Sequence, residues 1–340
     1  VLYERAQRAR YRLRYLSSVE FSTLMALAEV LTPDPKQLVE PLDVADRVDS
    51  YLASFRAKGK WVVRLALIGL SVYPILTLHP PFSMMSHQTR LAFVQRRFLS
   101  DVWGRRLPAF IRTVVQAMIR AAQQLAFLGY YEDERAAKEC GYLKFSERPD
   151  YDELIESVDW DRPRVKCLGP QDVHSDVVTT DVAIIGSGAA GSVLAYELAR
   201  QGREVLILER GLHVDPSEFT EIESQQLSTL YADGALTLSK DFRFQILQGM
   251  CVGGSTVVNN GVCFEIPARA LAAWQNPDGL DAGLDAGELQ RSYAAVEHLI
   301  RVQALTHASP LQTGWRKFAA GIEKLNLTDP PYSQGFFRCN

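Results

Sequence analysis

Cysteine is scarce in this sequence, and what there is does not cluster. The five residues, Cys140, Cys167, Cys251, Cys263 and Cys339, are odd in number and form no CxxC pair. That argues against a disulfide framework and a zinc site, and leads to the expectation of reduced, packed thiols. Histidine is nearly as sparse. His79 and His87 have no carboxylate or cysteine at ligand spacing, so they read as structural and no metal site is expected. One run that looks like an export signal does not read as one. Gln95-Arg96-Arg97-Phe98-Leu99 has a twin-arginine look, but it lies deep in the chain without the apolar run and cleavage site that would follow. No apolar stretch is unbroken over a bilayer's width. Trp61–Leu78 is long enough, but Arg64 lies inside it and Pro74 interrupts it. A buried helix at the centre of a helical unit is expected there.

Charge of the two signs is unevenly placed. Residues 1–150 carry 22 Lys+Arg against 15 Asp+Glu, and the remainder carries 15 against 25. A basic part followed by an acidic one suggests two units in different surroundings, or two that attract each other, although surface drift accounts for it equally well. The arginines Arg5, Arg8, Arg10, Arg12 and Arg14 suit an anionic membrane surface as well as a solvated tail. The chain starts at Val1 and stops at Cys339-Asn340 with no closing element, so it reads as a piece of something longer.

From Leu16 to Leu143 the pattern is helical. Phe21, Leu24, Leu27, Ala28 and Leu31 share one face of a helix over Ser18–Leu31, which Thr32-Pro33-Asp34-Pro35 ends. Val44, Val48, Tyr51, Leu52 and Phe55 repeat the spacing. Arg97–Tyr131 is long and amphipathic, with interruptions near Gly104 and Pro108. Residues 146–176, with Pro149, Pro163 and Pro170, have no sustained period and read as a connector.

The character then changes. Asp181-Val182-Ala183-Ile184-Ile185 is a short β-branched run, as in a buried parallel strand. It leads into Gly186-Ser187-Gly188-Ala189-Ala190-Gly191, a helical pattern to Arg200, a stop at Gln201-Gly202, and a second strand ending at Glu209-Arg210. This is the strand–GxGxxG–helix–strand–acid layout of dinucleotide binding. Gly186 permits the tight turn, Gly188 lets backbone approach a pyrophosphate, and Gly191 allows close helix–strand packing. The helix N-terminus offers free N–H groups to the phosphates, and Glu209 is placed to accept from a ribose.

That layout alone does not separate NAD from FAD. The choice comes from Gln248–Gly261, and above all from Gly253-Gly254-Ser255-Thr256-Val257-Val258-Asn259-Asn260-Gly261. Read without a family, it is a Gly-Gly turn before a short buried element. Its order, some sixty residues after the first glycine loop, resembles the flavin-contact signature of glucose–methanol–choline (GMC) oxidoreductases. The resemblance covers residues 177–340 and is strongest at the two glycine-rich segments. It implies FAD, with Gly253-Gly254 against the pyrophosphate and flavin and Ser255, Thr256, Asn259 and Asn260 at the flavin edge. Some members carry at the position of Val258 a histidine joined to the flavin; valine cannot make that bond, so the FAD is expected to be non-covalent. The helix-like stretches Gly287–Val302 and Leu311–Lys324 resemble the family's crossover into its substrate domain.

The first part resembles the helical small subunit of gluconate-dehydrogenase-type flavoenzymes, on Ala126-Phe127-Leu128-Gly129-Tyr130-Tyr131 and Cys140-Gly141-Tyr142. The expected architecture is therefore an incomplete Rossmann-like α/β FAD-binding domain preceded by an all-α domain. Its parts are a helical domain at 1–145, a linker at 146–176, the FAD-binding region at 177–279 and the start of a substrate domain at 280–340. The resemblance implies oxidation of the CH–OH group of an alcohol by hydride transfer, in a membrane-linked dehydrogenase or a long-chain alcohol oxidase rather than a secreted sugar oxidase. The family's catalytic histidine lies near the C-terminal end of the full chain. No residue here matches it, and His213, His298 and His307 fall where the family has no base. The partners implied are a small alcohol and an electron acceptor, protein or quinone, with no nucleic acid. The expected location is cytoplasmic, with peripheral membrane association left open. A ketosteroid- or amine-type flavoenzyme, or a flavin-binding electron-transfer partner without turnover, stands as the alternative.

Overall fold

The computed structural model describes residues 13–32, 34–57, 59–96, 109–149, 151–156, 167–240, 244–275, 282–304 and 337–338. The chain divides into two compact units, Val1–Val258 and Asn259–Asn340.

The first unit begins with a helical bundle. Helix α1 (Ser18–Leu31) starts in a capping box: the Glu20 carboxylate accepts from the Ser17 N–H at 2.6 Å while Ser17 Oγ accepts from the Glu20 N–H. Phe21, Leu24, Leu27 and Ala28 are buried as their spacing requires. Each fully buried leucine contributes about 1.5–3 kcal/mol relative to exposure. Helix α2 (Pro41–Ser54) opens on a proline whose missing N–H would have had no partner in the first turn. It buries Val44, Val48, Tyr51 and Leu52, together with Asp49. That buried carboxylate accepts from the backbone N–H groups of Arg14, Tyr15 and Leu16 at 2.6–3.0 Å, which ties the segment before α1 to α2.

Helix α3 (Lys60–Val72) corrects one expectation. It is buried on one face only, through Val63, Ala66, Leu67 and Leu70, while Trp61, Leu65, Ile68 and Val72 are exposed. A 3₁₀ turn at Tyr73–Thr77 ends it beside Pro74. Arg64, which interrupts the apolar run in sequence, donates Nε–H to the buried Glu20 carboxylate at 2.7 Å. Among the described residues no helix is long and apolar enough to cross a membrane. Helix α4 (His87–Val94) holds the buried Arg90, which pairs with Glu29 at 2.5 Å and donates to the Phe82 and Met85 carbonyls. Helix α5 (Ala109–Tyr131) and the short α6 (Glu134–Glu139) complete the bundle, and α7 (Tyr151–Glu156) follows. The earlier part of the expected Arg97–Tyr131 stretch, up to 108, lies outside the described residues.

Strand β1 (Val182–Ile185), helix α8 (Ala189–Arg200) and strand β2 (Val205–Leu208) form a βαβ unit with the strands parallel and in register from Val182↔Val205 to Ile185↔Leu208. Helix α9 (Glu223–Leu230) follows, and the segment after it is clamped to the bundle. Asp233, Gly234 and Ala235 all have left-handed backbone. The Tyr51 hydroxyl donates to the Gly234 carbonyl, and the Phe55 ring lies where a side chain on Gly234 would fall. Leu227 and Leu236 pack on the bundle core, and the Glu132 carboxylate accepts from the Ser224 N–H at 2.8 Å.

The second unit contains β3 (Val262–Cys263), α10 (Ala268–Trp274), α11 (Ala286–Leu299), β4 (Gln303–Ala304) and β5 (Phe337–Arg338), with an antiparallel sheet in the order β3–β5–β4. The expected helix at Leu311–Lys324 lies outside the described residues. The cysteine expectation is corrected here. Cys263 is disulfide-bonded, and Cys140 and Cys167 are exposed rather than packed, so of the thiols described only Cys251 is both free and buried.

Candidate functional site

The site is built on the turn that leaves β1. Gly186 has φ +92° and its N–H donates to the Leu208 carbonyl at 2.8 Å, which continues the β1–β2 pairing into the loop. Gly188 caps α8, and a Cβ placed on it would meet nothing within 4 Å. One side of the turn is therefore open at the helix N-terminus, where the first N–H groups of Ala189 and Ala190 lack intrahelical partners. The other side is closed. A Cβ on Gly191 would lie 2.1 Å from the Gly186 carbonyl oxygen, so only glycine fits between helix and loop.

The second glycine-rich segment lies against the first. The Gly253 N–H donates to Ser187 Oγ at 2.9 Å, and a Cβ on Gly254 would stand 3.1 Å from Gly188 Cα. Both Gly253 and Gly254 have left-handed φ, which side-chain-bearing residues adopt at a cost. A 3₁₀ turn over Gly254–Thr256 then folds the chain back, with Thr256 Oγ1 donating to the Gly253 carbonyl at 2.6 Å and Ser255 Oγ accepting from the Gly249 N–H at 3.0 Å.

Ser187 is the joint between these parts. It is buried, and its hydroxyl accepts from Gly253 while donating to Glu209 at 2.8 Å. Glu209 also accepts from the Ser187 N–H at 2.9 Å and the Gly211 N–H at 2.8 Å. Burial works to raise the Glu209 pKa, but these hydrogen bonds outweigh it and hold the carboxyl below its ordinary value. The Arg210 backbone N–H also lowers it, so these donors take up most of the roughly four acceptor sites of the carboxylate. Arg210 is exposed.

The sequence reading missed a supporting wall. Gly211 packs where a Cβ would strike Met250 and Cys251 at 2.4 Å, and the Val252 N–H donates to the Leu212 carbonyl at 2.9 Å. The Met250 N–H in turn donates to Leu230, and Ala232 to Gln248, which connects the wall to the clamped turn. The signal available was Gly211 itself, a glycine directly after the acid that ends β2. Cys251 lies in this wall; burial and then the Glu209 charge push its thiol pKa up, which makes it a packing residue rather than a nucleophile.

Asn259, Asn260 and Gly261 belong to the second unit, where Asn259 Oδ1 accepts from the Gly261 N–H at 2.8 Å in a local turn. His213 and His298 are exposed, and His307 lies outside the described residues.

The open glycine turn, a helix N-terminus and a carboxylate at the end of the adjacent strand fit the ADP half of a dinucleotide. Residues 181–235 match the family described as FAD dependent oxidoreductase. Residues 227–336 match the narrower family described as GMC oxidoreductase, and the families of both descriptions bind FAD. A long-chain-alcohol oxidase of Arabidopsis thaliana is 33% identical over 128 residues, 38% of this chain and 15% of that one. A GMC-type oxidoreductase of Mycobacterium tuberculosis is 27% identical over 286 residues, 83% of this chain and 40% of that one. Paromamine 6'-oxidase of Streptomyces fradiae is 49% identical over 54 residues, 14% of this chain and 10% of that one. The chain thus spans less than half the length of each of these relatives. Residues 146–340 are little more than half of this chain, so the mycobacterial match must extend well into the helical part.

Proposed function

We propose that this chain is the flavin-holding portion of an FAD-dependent alcohol oxidase or dehydrogenase whose substrate is a long-chain alcohol. The observation that carries the reading is the junction of the two glycine-rich segments at Ser187, where the Gly253 N–H meets the hydroxyl that also holds Glu209. A nucleotide loop needs no second glycine pair against it to bind ADP, so bare backbone beyond the pyrophosphate site suits a further planar group such as a flavin. The name of the Arabidopsis relative supports the substrate class.

In this proposal Gly186, Gly188 and the first turn of α8 bind the pyrophosphate, Glu209 takes a ribose hydroxyl, and Gly253–Thr256 lies along the flavin, with Asn259 and Asn260 at its edge. Bound FAD supplies the acceptor for the hydride that leaves the alcohol carbon. The chain's own contribution is positional, and the base that takes the hydroxyl proton is not among the residues assigned here. Val258 leaves the flavin dissociable. The helical part is proposed as a covalently joined counterpart of the gluconate-dehydrogenase small subunit.

The purified chain should be yellow, and denaturation should release all of the flavin into the supernatant. Flavin that stayed with the precipitated chain would refute the non-covalent assignment. In the full-length protein, anaerobic addition of a long-chain primary alcohol should bleach the flavin band. Bleaching by a ketosteroid or an amine, with none by alcohols, would transfer the enzyme to a different flavoprotein class.

A further inference from the structure

Helix α3 carries an apolar face that the other described residues leave exposed. Trp61, Leu65, Ile68, Val72 and Ile75 follow one another at intervals of four and three residues and are 39–59% exposed. Leu78, which is 99% exposed, and Met84 extend the patch beyond the 3₁₀ turn. The opposite face is fixed in the bundle through Val63, Ala66, Leu67 and Leu70, so the stripe cannot turn inward. At 1.5 Å per residue it runs for about 20 Å, a large continuous apolar surface to leave in water.

Charge selects the occupant. Residues 51–100 contain no Asp or Glu at all, against seven Lys and Arg: Arg56, Lys58, Lys60, Arg64, Arg90, Arg96 and Arg97. Two of these, Arg64 and Arg90, meet carboxylates from outside the segment, Glu20 and Glu29, and Lys60 is buried with its ammonium on the Leu52 and Phe55 carbonyls, so the segment keeps a net positive charge with no acid of its own. A second copy docked by a two-fold axis would set this basic segment against itself. An anionic bilayer surface meets both properties at once. Its headgroups attract a segment with no acid to repel them, and its acyl boundary takes the stripe lying flat, with Trp61 at the depth tryptophan favours.

We infer that the exposed face of α3, from Trp61 to Leu78, is a peripheral docking surface for anionic lipid bilayers. The inference stands on the bundle alone and does not depend on the flavin chemistry.

The test is co-sedimentation of the full chain with vesicles of phosphatidylcholine alone or mixed with phosphatidylglycerol. Strong binding to the mixed vesicles, at least about tenfold weaker binding to phosphatidylcholine and weakening by salt are expected. Leu65→Asp should reduce the binding about tenfold or more, and Leu78→Asp, at a wholly exposed position, should act in the same direction without a change in melting temperature. Trp61 emission should shift to the blue on binding, and Trp61→Phe should remove that shift. No binding to either vesicle, or binding that both Asp variants leave intact, would overturn the inference. So would a dimer in solution that Leu65→Asp splits, because the occupant would then be a second copy.

Discussion

Helix α1 buries ten of its fourteen residues, and α8, the helix of the nucleotide loop, buries none of its twelve. The two helices are of similar length and lie in the same compact unit, yet they are held by different forces. The bundle rests on an apolar core into which even charges are taken with partners, as with Glu20 and Arg64 or Asp49 and three backbone N–H groups. The glycine-rich region has little core. It exposes Ile185, Leu194, Leu208 and Leu212, and its order comes from close backbone approach and hydrogen bonds converging on Ser187. The bundle should therefore set the melting behaviour, and the glycine-rich region should set cofactor retention.

The largest effect should come from the bundle. Leu27→Ala should cost about 2–5 kcal/mol in urea unfolding, because the side chain is wholly buried and its surroundings collapse only partly into the cavity. Gly191→Ala should act on the other side of the comparison. Its methyl would stand against the Gly186 carbonyl, and FAD affinity should fall about a hundredfold, near 2.7 kcal/mol, with the melt of the helices unmoved. A melt that moved as far as the affinity would show that the two regions are not separable.

A smaller effect concerns pH. Arg135 first, then Arg47, hold the buried Asp133 carboxyl below its ordinary range despite its burial. A depressed folded pKa gives stability that is present above the unfolded value, near 3.9, and is lost as pH falls through the folded one. Asp133→Asn should therefore cost about 1–2 kcal/mol at neutral pH and progressively less in acid. Equal losses at both ends of a urea series across pH would remove the ion pairs from the explanation. The smallest effect belongs to Ile185→Thr, at a position 89% exposed, where stability should change by less than about 0.5 kcal/mol.

The same contrast explains what could be read in advance. The helix at Ser18–Leu31 and the strand–loop–helix–strand from Asp181 to Glu209 were legible because local periodicity and glycine spacing determine them. The meeting of the two glycine segments was inferred from resemblance; nothing local announces that Ser187 would join them, since its partners are Glu209 and Gly253. The open face of α3 was not legible at all. An apolar run reads the same way whether one face or both are covered, and only the placement of neighbouring helices decides. Cys263 shows a similar limit, because spacing along the chain says little about which cysteines are bridged.

The clamp on the left-handed turn also has a consequence for the order of folding. Tyr51 and Gly234 are separated by 183 positions, so their bond closes a very long loop and gains nothing until both ends are already structured. The bundle is made first during synthesis and can pack by short-range contacts, so Tyr51 and Phe55 should be in place before Asp233-Gly234-Ala235 emerges. The bundle then serves as the template on which a turn with little intrinsic preference for its own shape is set. The wall behind the glycine loops, which hangs from that turn through Ala232 and Met250, would be among the last parts of the unit to become ordered.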